Sequence, residues 1–335
     1  MATQTRTAIS GLETVRSHRL RNFILAVLVL ILGALVFALL RPITVLRASG
    51  EFILSRAGIH SEYAQVGSYR IHYYAGGDGP PVVFVHGLTA DALNWIKAMI
   101  NLKAAGYRVY AIDLLGHGES DKPDIDYSIE QQTEMLRQFL ATQHLQPADF
   151  VSVSLGGWIT LNLAIEHPEL VNRMVVADPA GLWFKSSLKA ATFLPQNPSE
   201  LRAFWDALSP RPYPLAGPLQ YDYLRRVHEH NWIVQRIFAS IMARKDLLDG
   251  RLDEIRAPVM LIWGKQEKLI PLAVGEQMHK EIPDSSLLVC PDSGHLAVFE
   301  CWDRYEPDVI RYLSAPQPLP PESRELPSER QLLLK

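Results

Sequence analysis

The sequence predicts a doubly wound, mainly parallel α/β sheet with a helical insertion and an N-terminal transmembrane helix. Short apolar runs rich in Val, Ile and Leu alternate with helical segments, and such runs suit parallel strands covered on both faces. Residues 182–250 interrupt this alternation with a stretch far longer than one crossover helix needs. Near the start of the chain, residues 23–40 carry no polar side chain.

Residues 23–40, FILAVLVLILGALVFALL, predict a single-pass membrane anchor that contacts membrane lipids. At about 1.5 Å per residue a helix of this length spans roughly 27 Å, close to the hydrocarbon core of a bilayer. A cleaved signal peptide would have a shorter apolar region and a small-x-small site, whereas Arg41-Pro42 follows here. A buried core helix would show a polar face.

Arginines on both sides of residues 23–40 leave the orientation of the anchor open. The flank 1–22 holds four of them and residues 41–61 hold three, so the positive-inside rule favours a cytoplasmic N-terminus by one charge. We interpret residues 41–61 as a juxtamembrane connector with helical character.

The rest of the chain divides into a core, an inserted cap and a tail. Residues 62–76 read as two short strands around a turn at Gly67-Ser68. The later strands are expected at 81–87, 107–113, 149–154, 173–179, 258–264 and 285–291. The predicted core is therefore 62–181 with 251–313, and 182–250 is a helical cap. The tail, 314–335, is rich in Pro, Ser and charge, which predicts disorder.

Composition excludes several classes of function. Of the 335 residues 48% are hydrophobic and 21% charged, which suits a protein with a substantial core. A net charge of −3 gives no electrostatic support for nucleic-acid binding. The two cysteines form neither a disulfide framework nor a ligand set, and no HExxH-type pair occurs, so no metal and no cofactor are expected. The oligomeric state is left open.

The segment DFVSVSLGGWIT, residues 149–160, predicts a nucleophile elbow between a strand and a helix. Such an elbow needs small residues two before and two after the nucleophile. Ser154 has Ser152 and Gly156 at these positions, whereas centring the motif on Ser152 would place Phe150 at one of them. Ser154 is therefore the candidate nucleophile, and Ser152 is interpreted as a strand residue.

A serine nucleophile needs a base, and the base needs an orienting carboxylate. His295 lies in a loop after the last strand of the core, and Glu267 follows the strand 258–264 in GKQEKLIP. Asp178 ends the strand before the cap and is an alternative acid. The sequence favours Glu267, because PAGL after Asp178 reads as a hinge into the cap.

Two backbone amides complete the predicted machinery as an oxyanion hole. The residue after the nucleophile, Leu155, supplies one N–H. The second is expected from Leu88, in the loop after PVVFVHG, where His86 and Gly87 let the chain turn over the sheet. Donors aimed at a developing oxyanion can lower the barrier by several kcal/mol.

With these motifs the chain resembles the α/β-hydrolase superfamily. The matching segments cover residues 62–313 in the family's order and are FVHGLT, DLLGHGES, SVSLGG, IWGKQEKLIP and SGHLAVFE. Within it the chain is most similar to membrane-anchored monoacylglycerol lipases, by its N-terminal span, its length, DPAGL and IWGKQ. The resemblance implies hydrolysis of a small lipid or other ester substrate at a membrane. It also shows two departures: the family usually has Gly at the position of Ser152 and Asp at that of Glu267.

Three functions compete. An ester hydrolase would line an acyl pocket with cap aromatics, drawn from Phe204, Trp205, Tyr221, Tyr223, Trp232 and Phe238. A carbon–carbon bond hydrolase of the meta-cleavage type, which the chain also resembles, would need an arginine in its pocket for anionic substrates; the candidates are Arg202, Arg225, Arg226 and Arg236. A non-catalytic hydrolase-fold protein would usually lack a triad member, and here all three roles are filled.

Overall fold

Nine strands pair into one sheet in the computed structural model, which describes residues 2–185, 189–211 and 217–332. The strands are β1 (His60–Val66), β2 (Tyr69–Gly76), β3 (Pro81–Val85), β4 (Arg108–Ile112), β5 (Ala148–Val153), β6 (Val171–Ala177), β7 (Val259–Gly264), β8 (Ser285–Cys290) and β9 (Ser323–Glu325). Their order across the sheet is β1-β2-β4-β3-β5-β6-β7-β8-β9. The pairs β1–β2 and β2–β4 are antiparallel, and all other pairs are parallel. The predicted mainly parallel sheet is confirmed.

Helices connect most of the parallel strands, as the alternation in the sequence predicts. They are α1 (Ala2–Leu40), α2 (Pro42–Arg56), α3 (Ile96–Ala104), α4 (Ile129–Thr142), α5 (Leu155–Glu166), α6 (Pro198–Leu208), α7 (Pro218–Ala243), α8 (Leu272–Glu281), α9 (Ala297–Glu300), α10 (Trp302–Ser314) and α11 (Glu329–Leu332). Helix α4 begins at a sequence signal for a helix start, because Ser128 and Gln131 form a reciprocal capping box there.

The core lies on both faces of the sheet, because successive side chains of a strand point to opposite faces. In β3, Val83 and Val85 belong to one hydrophobic cluster with residues of α4, α5 and α8, while Val82 and Phe84 belong to a second cluster with residues of α2, α3 and α10. All four side chains are fully buried. The apolar runs of the sequence therefore correspond to strands covered on both sides.

The N-terminal helix α1 extends through the predicted flank and the predicted anchor. Its segment Arg21–Leu40 is long and apolar enough to cross a membrane, and none of it is buried against the rest of the chain. α1 ends at Leu40, and Pro42 stands at the first position of α2, where its missing N–H costs nothing.

The predicted connector is a packed helix and not a free linker. In α2, Leu54 is fully buried, and Gly50 lies so close to α3 that an added Cβ would stand 2.8 Å from the Ile96 side chain. β1 then begins at His60, inside the range assigned to the connector.

Helix α2 is also bound to the cap. The Ile43 N–H donates to Asp222 Oδ2 at 3.0 Å, and Arg226 donates to Thr44 Oγ1 at 3.1 Å. Asp222 is buried and also pairs with Arg225 at 2.7 Å. The juxtamembrane helix and α7 thus share buried polar contacts that fix one against the other.

Residues 182–250 lie between β6 and β7 in the chain, where the sequence predicts the cap. Their described part contains a 3₁₀ turn at Ala190–Phe193 and the helices α6 and α7. Asn197 caps α6 by accepting the N–H groups of Ser199 and Glu200.

The prediction of a disordered tail at 314–335 is wrong for its described residues. β9 pairs in parallel with β8, and α11 follows it. Leu326 is 2% exposed and its N–H donates to Val289 O at 2.8 Å. Composition misses this order because two leucines, Leu319 and Leu326, supply the apolar contacts and the edge of β8 supplies backbone partners for an extended segment. Residues 333–335 lie outside the described part.

Candidate active site

Ser154 stands at a strained turn between β5 and α5. Its φ of 55° and ψ of −118° place a non-glycine residue in a region that costs of order 1–3 kcal/mol. The turn leaves no room for a side chain at Gly156, where an added Cβ would lie 2.4 Å from the carbonyl oxygens of Val85 and His86. The local geometry is that of the predicted elbow, with the serine at its apex.

Ser152 lies inside β5, where its unusual hydroxyl has a partner. The side chain is fully buried, and its Oγ lies 2.8 Å from Thr160 Oγ1 of α5. A buried hydroxyl without a hydrogen bond would be costly. The departure from Gly at this position is thus accommodated by Thr160 and leaves Ser154 at the turn.

His295 lies between β8 and α9 and is bonded to Glu267. His295 Nδ1 lies 2.6 Å from Glu267 Oε2, and both side chains are buried. The second oxygen, Oε1, accepts the N–H groups of Leu269 at 2.5 Å and Ile270 at 3.3 Å. These backbone donors fix the carboxylate, which in turn holds the imidazole with Nδ1 as the donor.

Asp178, the alternative acid, is in the same cluster but has different partners. Its Oδ1 accepts the Gly264 N–H at 2.9 Å, and its Oδ2 is buried without a hydrogen-bond partner among the described residues. One carboxylate oxygen each of Asp178 and Glu267 and a ring nitrogen of His295 lie within 4.8 Å of one another. The structure therefore brings both candidate acids to His295 and gives the direct hydrogen bond to Glu267.

The charges in this cluster shift two pKa values. Burial, followed by the negative charge of Glu267, raises the pKa of Asp178 well above its usual range, which favours its neutral form. Burial by itself would lower the pKa of His295, but the charge of Glu267 and the hydrogen bond to it outweigh burial and raise it. The two acids are thus distinguished by environment, because burial favours the neutral form of Asp178 while Glu267 forms the hydrogen bond to His295.

The loop after β3 is held by His86 in an orientation that suits the predicted oxyanion hole. His86 Nδ1 donates to Gly87 O at 2.8 Å, and His86 Nε2 accepts the Leu114 N–H at 3.0 Å. Burial lowers the pKa of His86, which fits this neutral tautomer. Because a trans peptide places C=O and N–H on opposite sides, the Leu88 N–H points away from His86. Leu155 supplies the other predicted donor as the first residue of α5, where helix N–H groups lack intrahelical partners.

Ser154 and His295 open into one cavity of about 600 Å³. Leu88 lines it as well, together with four cap aromatics: Phe193, Phe204, Trp205 and Tyr223. Of the other aromatics named from the sequence, Tyr221 is 65% exposed, Trp232 packs near Tyr127, and Phe238 packs near Phe193. Three of the six candidates therefore line the cavity, and Phe193, which the sequence did not single out, is a fourth cap aromatic there.

The cavity also has a polar part, of which the sequence had named only Arg226 as a candidate. Ile43 and Arg47 of α2 line it, with Lys122 and with Arg226 of α7. Arg47 is bonded to Asp91, another lining residue. For Arg47 the only signal was its place within the connector, where it was counted as a flank of the anchor.

The cluster at His295 is also the one group of described side chains whose donor atoms could surround a metal ion. The 2.6 Å from His295 Nδ1 to Glu267 Oε2 is a hydrogen-bond distance. Two ligands that share one ion at about 2.1 Å each lie roughly 3 Å or more apart. The pair as it stands fits a proton between its atoms better than a metal.

Comparison with known proteins decides the family. The sequence model of the alpha/beta hydrolase family matches residues 82–308, which include both candidate acids, Ser154 and His295. The chain belongs to this family. Its sheet, its elbow and the order of its motifs along the chain agree with the membership.

Hydrolases with different substrates are among the relatives of this alpha/beta hydrolase. Monoacylglycerol lipase ABHD6 of Bos taurus is 23% identical over 285 residues, 78% of this chain and 84% of the relative. A 2-hydroxy-6-oxo-6-phenylhexa-2,4-dienoate hydrolase of Comamonas testosteroni is 26% identical over 272 residues, 73% of this chain and 91% of the relative. The crystal structure of a membrane phospholipase A, a bacterial virulence factor, matches with a TM-score of 0.74 and 25% identity over 87% of this chain and 99% of its own. Membership and these relatives support a hydrolase with lipase-like homologues.

Proposed function

We propose that this alpha/beta hydrolase is a membrane-anchored serine hydrolase that cleaves carboxylic esters of lipids, with monoacylglycerols or similar lipid esters as substrates. The observation that carries the proposal is one cavity in which Ser154, His295 and apolar cap side chains meet. The hydrogen bond from His295 to Glu267 supplies the third member of a triad.

The proposed reaction follows from these positions. Ser154 Oγ attacks the ester carbonyl carbon, and His295 Nε2 takes its proton while Glu267 stabilises the imidazolium. The N–H groups of Leu88 and Leu155 stabilise the oxyanion. His295 then protonates the leaving alcohol, and a water molecule activated by His295 hydrolyses the acyl-serine.

The membrane part of the proposal rests on α1 and α2 together. The apolar segment Arg21–Leu40 leads directly into α2, whose Ile43 and Arg47 line the cavity. A substrate held in the bilayer that contains α1 would therefore meet the cavity close to the membrane surface.

A second candidate is favoured by one observation. Among the four cap arginines named from the sequence, Arg226 lines the cavity, and such a group suits the anionic substrate of a carbon–carbon bond hydrolase. Arg225 instead pairs with Asp222 and Glu229.

A substrate panel on detergent-solubilised full-length protein separates the candidates. We expect turnover of p-nitrophenyl esters and monoacylglycerols, and none of a 2-hydroxy-6-oxo-hexadienoate. Efficient cleavage of the dienoate with poor ester hydrolysis would reverse the assignment. Absence of turnover on every substrate, with no label on Ser154 from a fluorophosphonate, would indicate a non-catalytic hydrolase fold.

A further inference from the structure

A second serine–histidine–aspartate chain lies at the edge of the sheet formed by β1 and β2. Ser61 Oγ is 2.9 Å from His72 Nε2, and His72 Nδ1 is 2.8 Å from Asp113 Oδ2. These are the atoms that join nucleophile, base and acid in a serine hydrolase triad. None of these three residues lines the cavity that contains Ser154, so the group of Ser61, His72 and Asp113 is a separate site.

Strand pairing brings the three side chains together. In the antiparallel pair of β1 and β2, Tyr63 lies opposite His72, and Ser61 is two residues further along the same face. Diagonal neighbours of this kind are within reach of a long side chain. Asp113 directly follows β4, and its N–H donates to His72 O at 2.9 Å. The arrangement is therefore set by the backbone ladder.

The hydrogen bonds fix which atoms carry protons. Asp113 Oδ1 accepts the Ala92 N–H at 2.7 Å, and Oδ2 accepts the Glu119 N–H at 2.8 Å. Burial opposes ionisation of Asp113, but these bonds and the neighbouring imidazoles hold its pKa below its usual range. An ionised carboxylate can only accept, so His72 Nδ1 bears the proton and Nε2 offers a lone pair. The Ser61 hydroxyl must therefore donate to His72 Nε2.

The base is enclosed while the serine is open to solvent. His72 is 1% exposed, and its ring is held between those of Tyr63 and Tyr74, with centroids 5.0 and 4.8 Å away. Ser61 is exposed. A fixed, buried base beside an accessible hydroxyl is the arrangement that activates a serine.

We propose that Ser61 is a second nucleophilic serine, primed by His72 and Asp113 to accept one acyl group from an activated ester or thioester. Its Oγ bonds to the carbonyl carbon as its proton passes to His72 Nε2. The bond from that carbon to the leaving oxygen or sulfur breaks, and the leaving group takes the proton from His72. The products are acyl-Ser61 and a free alcohol or thiol, and Asp113 stays ionised throughout.

The proposed modification does not depend on Ser154. A fluorophosphonate should react with Ser61 in the same way, with loss of fluoride. A chain that carries Ser154→Ala would then still take up such a probe, so mapping the labelled residue is part of the test.

The experiment uses the full-length chain with Ser154→Ala in detergent micelles, treated with a fluorophosphonate or with p-nitrophenyl acetate. Mass spectrometry of the peptides gives the labelling rates of Ser61 and of Ser49 in the same molecules. Ser49 is the matched control, because it is also exposed but its hydroxyl donates to a backbone carbonyl, Val45 O, at 2.9 Å. Since a positioned base contributes typically 10²–10⁴-fold, we expect Ser61 to react at least about 100-fold faster than Ser49.

The variant His72→Asn then tests the base. Asparagine retains an N–H donor for Asp113 and removes the acceptor Nε2, so the Ser61 rate should fall to that of Ser49. Equal rates of Ser61 and Ser49 in the Ser154→Ala chain would overturn the proposal, as would a Ser61 rate unchanged by His72→Asn. If circular dichroism shows that His72→Asn does not fold, the ratio of Ser61 to Ser49 labelling decides alone.

Discussion

At the scale of single residues, the proposed site depends on Ser154, whose backbone strain persists only where the surrounding packing imposes it. We expect Ser154→Ala to abolish ester turnover and leave the thermal transition unchanged. Ser152→Gly should keep activity, since Thr160 Oγ1 still donates to Gly157 O at 3.0 Å. Hydrolysis rates and differential scanning calorimetry check both variants. An active Ser154→Ala with an inactive Ser152→Ala would mean that the elbow is centred on Ser152.

The two carboxyl groups beside His295 differ in the partners that fix them. Glu267→Gln should lower kcat by about 10⁴-fold, because imidazolium stabilisation and tautomer control are both lost. Asp178→Asn should stay largely active with some loss of stability, because the direct hydrogen bond to His295 comes from Glu267 and burial disfavours a charge on Asp178. Steady-state kinetics of both variants decide between the two acids. The control for a buried Asp→Asn change is Asp149→Asn, because Asp149 is a buried residue of β5 that accepts a hydrogen bond from Asn172. The reverse ranking would make Asp178 the acid.

The raised pKa of His295 fixes the sign of the pH dependence. The imidazole must be neutral to accept a proton, so kcat/KM should fall as the pH drops through a pKa above the ordinary value near 6.5. Removal of the negative charge in Glu267→Gln should move the residual acidic limb to lower pH. Asp178→Asn should move it less, because burial favours the neutral form of Asp178, and its charge raises the pKa of His295 less than that of Glu267 does. A pH–rate profile of each protein gives the limb directly, and a limb below 6.5 in the unaltered chain would contradict this account.

At the scale of elements, β9 shows how a polar segment gains order from an existing edge. Leu326 is 2% exposed, so Leu326→Ala should lower the free energy of unfolding by about 2–4 kcal/mol. Leu332→Ala is the matched control, because Leu332 is 44% exposed in α11 and should change it by less than about 0.5 kcal/mol. Urea unfolding followed by tryptophan fluorescence compares the two. Equal effects would mean that β9 does not pack on β8 in solution.

At the scale of the whole molecule, α2 joins the proposed anchor in α1 to the α/β core. A chain shortened to residues 41–335 keeps α2 and should hydrolyse soluble short esters within about twofold of the full chain, because proximity to a bilayer affects only membrane-held substrates. It should lose rate on long-chain esters presented in vesicles. A chain of residues 57–335 should lose both activities, since Ile43 and Arg47 leave the cavity wall and the buried Leu54 leaves the core.

Rates on the two substrate classes, with circular dichroism as the check on folding, test this division of roles. Full activity of the 57–335 chain on soluble esters would show that α2 contributes nothing to the cavity. A loss by the 41–335 chain on soluble esters would show that α1 itself supports the fold.

The sequence by itself determined the sheet, the elbow and the residues around it. Apolar runs, the small residues near Ser154 and the loop positions of Glu267 and His295 are local patterns, and each is set by packing or turn chemistry within a few residues. Only the tertiary structure placed Arg47 and Arg226 in the cavity, gave β9 an edge to pair with, and joined Ser61 to His72 and Asp113. It also gave the hydrogen bond of His295 to Glu267 and the burial that favours the neutral form of Asp178 beside it. These outcomes depend on contacts between segments far apart in the chain, and on how burial shifts charge, which a linear pattern does not encode.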